Sequence, residues 1–210
     1  MVLIATAITL AAQASVRAQP GVALVKDTAA PHRTPSEASS AERFYDSMAQ
    51  YLDHLGMPCA QLTDDDVAAD KLPPYRLAVF PYSPAMPEAV VAKVVEFMNS
   101  GGKVLIFYTL PAPIAEALGV RLGEYRRAQE GEFAACGFLP GAPPGLPDHI
   151  IQDSWNIFTV EPARPDAMVI AHWQTRDGGD TGIPALIVSD SGAYMGHVLT
   201  TVDASHKEQM

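Results

Sequence analysis

Basic residues, cysteines and long apolar runs are all scarce in this 210-residue chain, and each scarcity excludes something. Fourteen Lys and Arg stand against twenty-four Asp and Glu, giving a net charge of −10 and a pI near 4.9. A chain this acidic lacks the electrostatic footprint for nucleic acid or for an anionic membrane surface. Two cysteines, Cys59 and Cys136, cannot make a disulfide framework. No Cys-x-x-Cys is present, which argues against a structural zinc site. The apolar stretch Val2 to Ala12 is too short to span a bilayer. Asp27-Thr28-Ala29-Ala30-Pro31 stands where a dinucleotide fingerprint would need Gly-x-Gly-x-x-Gly. His-Glu-x-x-His is also missing, and the six histidines (32, 54, 149, 172, 197 and 206) are scattered. No cofactor and no metal site is expected.

What is present describes a folded chain. It is 48% hydrophobic and 18% charged, which excludes a wholly disordered protein. The length fits one domain, or one domain with a small appendage. Val2 to Ala12 reads as the apolar part of a signal peptide spanning residues 1–18. Small residues at Val16 and Ala18 allow cleavage before Gln19, although no basic residue precedes the apolar run. The alternative is a buried or frayed N-terminal helix. Export would place both cysteines in an oxidising compartment, and their pairing is open. At the other end, Asp203 is an N-cap candidate followed by helix formers as far as Met210. A helix of about two turns is marginal alone, so the chain is expected to be cut from a longer protein.

The body alternates strands and helices. Gly21 to Lys26 reads as a buried strand, and Asp27 to Ser39 as a loop. Phe44, Met48, Tyr51, Leu52 and Leu55 line one face of a helix over 40–55, with Gly56 at its C′ position. Pro58 to Leu62 is a second strand, and Thr63 to Val67 a turn or short helix. Leu77 to Phe80 is a third strand. Pro87 opens a helix that buries Val90, Val91, Val94, Val95 and Met98 and stops at Gly101-Gly102. Lys103 to Tyr108 reads as a central parallel strand, followed by a short helix over Pro111 to Leu118. Beyond residue 120 the signals are short strands at 132–138, 157–160, 167–173 and 184–188. Between them lie a Pro/Gly loop at 140–147 and a hairpin turn at Asp177-Gly178-Gly179-Asp180. The pattern predicts an α/β layered fold with a mainly parallel sheet and some added antiparallel strands.

Five strings carry a resemblance over residues 20–210. They are Gly21 to Asp27, Leu62 to Val67, Gly101 to Tyr108, Gln152 to Ile157 and Leu186 to Met195. Together they resemble the class I glutamine amidotransferase-like domain that precedes the barrel of family 10-like glycosyl hydrolases. That group of exported bacterial proteins is also similar to the trimerisation domain of some β-galactosidases. The resemblance implies a flavodoxin-like three-layer fold over 19–210, with the hydrolytic carboxylates on a barrel outside this chain.

The residues themselves speak against catalysis. An amidotransferase nucleophile is a Cys on a tight turn after a central strand, flanked by small residues. The matching segment here is Phe107-Tyr108-Thr109-Leu110-Pro111, without Cys or Gly. Thr109 stands about where the nucleophile would be, and a Thr hydroxyl needs an adjacent base. Cys59 and Cys136 read as small buried hydrophobes on strands elsewhere. Asp64-Asp65-Asp66 reads as the first turn of a helix rather than a calcium loop. No catalytic residue is therefore assigned. Ligands of open parallel sheets sit at the carboxyl ends of the strands. Those ends carry Asp27, Tyr82, Tyr108 and Thr109, and a loop with Trp155 and Asn156 can join them. Aromatic faces beside polar edges suit a sugar ring.

Three functions follow as expectations. The first is a non-catalytic accessory domain of an exported carbohydrate-active protein, which binds saccharide or packs on a catalytic barrel. The second is a small hydrolase using Thr109 or Cys136 with a histidine. The third is a structural domain that self-associates.

Overall fold

The computed structural model describes residues 21–28 and 34–210. The signal-peptide segment, 1–18, lies outside the described residues. The described part is a three-layer α/β fold around one nine-stranded mixed sheet, as expected.

Strands β1 (Val22–Lys26), β2 (Cys59–Thr63), β3 (Leu77–Phe80) and β4 (Lys103–Phe107) are joined by helices, because parallel neighbours cannot be linked by a tight turn. Those helices are α1 (Pro35–His54), α2 (Asp64–Ala68) and α3 (Glu88–Asn99). After β4 come α4 (Ala112–Leu118), β5 (Val120–Arg127), β6 (Ala135–Phe138), β7 (His149–Ile151), β8 (Asn156–Pro162), β9 (Met168–Gln174) and β10 (Asp180–Ser189). The hairpin partner of β10, β11 (Gly192–Met195), then returns to β4 and pairs with it in parallel. The chain closes with α5 (Ala204–Lys207).

The sheet order is β2-β1-β3-β4-β11-β10-β9-β6-β7, with β5 and β8 forming a separate antiparallel ribbon. The first five strands are mutually parallel and reproduce the 2-1-3-4-5 order of flavodoxin-like sheets, with β11 as the fifth. The remaining four alternate in direction. Period-two alternation divides the core. Ala23, Val25, Ala78, Phe80, Val104 and Ile106 pack with Val90 and Val94 of α3 and Ile114 and Leu118 of α4. Leu24, Val79 and Phe107 face the other way, toward Tyr45, Met48 and Leu52 of α1. Among the described residues no helix is long and apolar enough to cross a membrane.

Several boundaries move. Helix α1 begins at Pro35, five residues before Ser40, because Thr34 starts it with a capping box. Thr34 Oγ1 accepts from the Glu37 N–H, and the Glu37 carboxylate accepts from the Thr34 N–H at 3.0 Å. Removing that cap in Thr34→Ala should cost about 1 kcal/mol, read as a fall of about 3 °C in thermal midpoint. Leu55 is the C-cap and is exposed, so the apolar face of α1 ends at Leu52. Pro87 is the N-cap of α3 rather than its first residue, and Phe97 replaces Val95 on the buried face. Strands β5, β7 and β11 were not expected as strands. Asp203 does precede α5, but its side chain makes no cap bond. It accepts from the Ile151 N–H at 3.0 Å and faces His206 at 2.7 Å instead.

Candidate functional site

In a 2-1-3-4-5 sheet the chain leaves β1 in opposite directions, so a crevice opens at the carboxyl ends of β1 and β3. Asp27 follows β1, Tyr82 follows β3, Tyr108 and Thr109 follow β4, and His197 follows β11. Asp27 is only 4% exposed. Beside it Asp64, which opens α2, is also buried and accepts the Thr28 N–H at 2.7 Å. Asp27 therefore forms part of the floor of this edge.

A ladder of rings runs across the edge. Phe44 of α1 meets Tyr82 at 5.6 Å between centroids, and Tyr82 stacks on Tyr108 at 5.9 Å. Tyr108 then meets Phe158 at 5.2 Å, and Phe158 meets Tyr125 edge-on at 5.7 Å. On a second branch, Tyr108 faces His197 at 6.1 Å and His197 meets Trp155 edge-on at 4.4 Å. Asn156 is largely buried and its Nδ2 donates to Tyr125 Oη at 3.2 Å. The structure thus brings Tyr82, Tyr108, Trp155 and Asn156 into one cluster. Its exposed rim is Tyr125 and Trp155, about half exposed each.

Tyr108 holds the most telling backbone. Its φ is +66°, in the left-handed region, where a bulky residue costs of order 1–3 kcal/mol. Two bonds hold its peptides there. The Tyr108 N–H donates to Met195 O at 2.9 Å, and Tyr194 Oη donates to Tyr108 O at 2.5 Å. The strained position after β4 is Tyr108, one residue before Thr109. The Tyr108 phenol lies against Asn156 and Tyr125, and burial pushes its pKa up, which keeps it neutral.

Thr109 is half-buried and makes no side-chain hydrogen bond among the described residues. Both cysteines are free thiols. Cys136 lies 2% exposed on β6, and burial drives its thiol far above the ordinary range. Cys59 begins edge strand β2, at the end opposite the crevice, and burial raises it as well. No group of three or more His, Cys, Asp or Glu among the described residues could hold a metal ion.

His197 was not singled out from sequence. It is 1% exposed, and its Nδ1 lies 2.9 Å from Val198 O, which can only accept. That Nδ1 also lies 3.2 Å from Gln152 Nε2, and the ring's own buried Nε2 has no hydrogen-bond partner among the described residues. Burial lowers its pKa from 6.5 to about 4. Between these values the unfolded chain binds a proton that the folded chain does not. The stabilisation is therefore complete above about pH 6.5 and is lost progressively as pH falls toward 4. Urea midpoints measured across that window should fall less steeply with acid in His197→Gln than in the parent.

The Trp155 loop is built from below. Gln152 is fully buried and its Nε2 donates to Val198 O at 2.5 Å. The N–H groups of Gln152 and Asp153 both donate to Ala134 O, at 2.8 and 2.9 Å, and the Ser154 N–H donates to Phe133 O at 2.8 Å. Asp153 takes a φ of +46°, and that turn lifts Trp155 into solvent.

No protein-family model and no curated protein sequence matches the chain. Solved structures do. A β-galactosidase from Rahnella sp. R3 superposes with a TM-score of 0.69 at 17% identity, over 92% of this chain and 30% of that one. A ThuA-like protein from Bacteroides uniformis gives 0.63 at 14% identity, over 87% and 83% of the two chains. PurLQS from Thermotoga maritima gives 0.52 at 12% identity, over 87% of each. The chain thus spans less than a third of the β-galactosidase it resembles. At these identities the likeness is one of fold.

Proposed function

We propose that this chain is a non-catalytic accessory domain of an exported carbohydrate-active protein. It binds saccharide through the aromatic rim at the carboxyl edge of its sheet, and it serves a catalytic barrel elsewhere in the protein. The observation that carries this reading is Tyr108. A bulky phenol occupies the strained turn after β4, close to where the resembled fold would hold a nucleophile, and it stacks on Tyr82 and lies tilted against Phe158. Spending strain to place a ring rather than a reactive atom fits recognition better than turnover. The shared fold with a β-galactosidase supports the carbohydrate setting.

Assays of the purified chain against activated esters, amides and aryl glycosides test the non-catalytic half. The expected result is no turnover above buffer, unchanged in Thr109→Ala and Cys136→Ala. Turnover abolished by either substitution would make the chain a small hydrolase instead.

A further inference from the structure

Beside Trp155 lies a hollow of about 320 Å³, near the lower end of the range of small-ligand pockets. Its walls include Trp155, Ser154, Asp153, Arg176, Gln129 and Glu132. An adjoining hollow of about 600 Å³ shares Asp153 and Arg176 and runs on past Gln174 and His149. Neither hollow belongs to the crevice between β1 and β3.

We infer that the hollow at Trp155 is a subsite for one neutral hexopyranose ring. This rests on the saccharide-binding reading above and adds to it a place and a ligand class. Trp155 is 51% exposed, so its ring offers a flat apolar platform for the C–H face of a sugar. Ser154 is 6% exposed, and its hydroxyl has no hydrogen-bond partner among the described residues. Rotation of that buried hydroxyl toward the hollow would let a sugar hydroxyl satisfy it. The Arg176 guanidinium is 69% exposed and only loosely paired with Asp153, at 3.7 Å. Its planar fork is free to bridge two neighbouring hydroxyls. Glu132 is already engaged by Arg126, which fixes that wall.

Charge sets the class. Around the hollow Arg127 and Arg176 stand against Glu130 and Asp153, with Glu132 paired to Arg126, so the charges balance. An anionic ligand would find no net positive charge to pair with, whereas a neutral polyol can use both signs. The loop is also held rigid by its bonds to Phe133 O and Ala134 O, so little ordering is needed on binding.

The sequence contains two tryptophans, and Trp173 is fully buried, so a change in emission on sugar binding reports chiefly on Trp155. The test titrates the full chain with methyl β-galactopyranoside, methyl β-glucopyranoside and methyl α-mannopyranoside, with sodium glucuronate and inorganic phosphate alongside. The inference expects a saturable, millimolar response to at least one neutral sugar. It should weaken at least tenfold in Arg176→Ala and stay unchanged in Arg121→Ala, an exposed change at the other end of β5 from Arg127. No saturable response to any neutral sugar would overturn it, as would tighter binding of glucuronate or phosphate. Sugar binding kept in Arg176→Ala but lost in Tyr82→Leu would move the ligand to the crevice. That outcome would overturn this subsite while leaving the proposed function standing.

Discussion

Gly192→Ala is expected to destabilise the domain by about 4 kcal/mol or more, enough to lower its thermal midpoint by about 10 °C. Gly192 opens β11 with φ +142°, which side chains rarely adopt. A Cβ there would sit 2.0 Å from Val104 O and 2.7 Å from Val104 N, both backbone atoms of β4. Neither can yield without separating the two strands, since Gly192 pairs in register with Val104. The consequence reaches the site, because β11 delivers His197 beside Tyr108. Gly178→Ala is the control. It has φ +86° in the exposed hairpin between β9 and β10, with nothing within 4 Å of the added carbon, so only about 1 kcal/mol should be lost. Thermal melts of the two variants check this. If Gly192→Ala melted no lower than Gly178→Ala, β11 would not lie against β4 as described.

Trp173→Ala should cost about 3–5 kcal/mol, while Trp173→Phe should cost far less. Trp173 is fully buried on β9, opposite Cys136 of β6, and packs on Phe133 at 5.7 Å between centroids. Truncation opens a cavity that these strands cannot close. Its indole Nε1, however, is buried without a hydrogen-bond partner among the described residues. Phe keeps most of the apolar contact and removes that orphan donor, so part of the lost volume is offset. Urea denaturation midpoints of the three proteins give the comparison. Because Phe133 O also anchors the Ser154 N–H, Trp173→Ala should raise amide exchange in the Trp155 loop as well.

The parallel half of the fold was legible because its strands are short continuous apolar runs and its helices carry apolar faces. Val22–Lys26, Leu77–Phe80 and Lys103–Phe107 fall within a residue or two of their sequence-based bounds. The second half was less legible for physical reasons. β5 is mostly exposed and reads as Arg, Gly, Glu and Tyr, so it shows little apolar alternation. β11 is four residues behind a glycine and gains its place by pairing with β4 and β10, a long-range effect that no local window holds. The start of α1 was readable from Thr34 and Glu37, but the surrounding Pro and Ser masked it. Of the expected residues, Tyr82, Tyr108, Trp155 and Asn156 lie together in one cluster. The connecting members were not expected. Tyr125 sits on β5, and His197 follows β11, so both depend on strands that local sequence hides. Two apolar residues, Tyr194 and Met195, followed closely by His197, were the one available hint.

The central proposal is that the carboxyl edge of this sheet carries a saccharide-binding aromatic face and no catalytic nucleophile. Its most direct test is a glycan-array screen of the chain followed by calorimetric titration of the best oligosaccharide, with Trp155→Ala in parallel. The account predicts saturable binding, no hydrolysis of the bound glycan, and a loss of at least about 2 kcal/mol, roughly thirtyfold, in Trp155→Ala. A folded chain that binds no glycan, or that cleaves the one it binds, would contradict it.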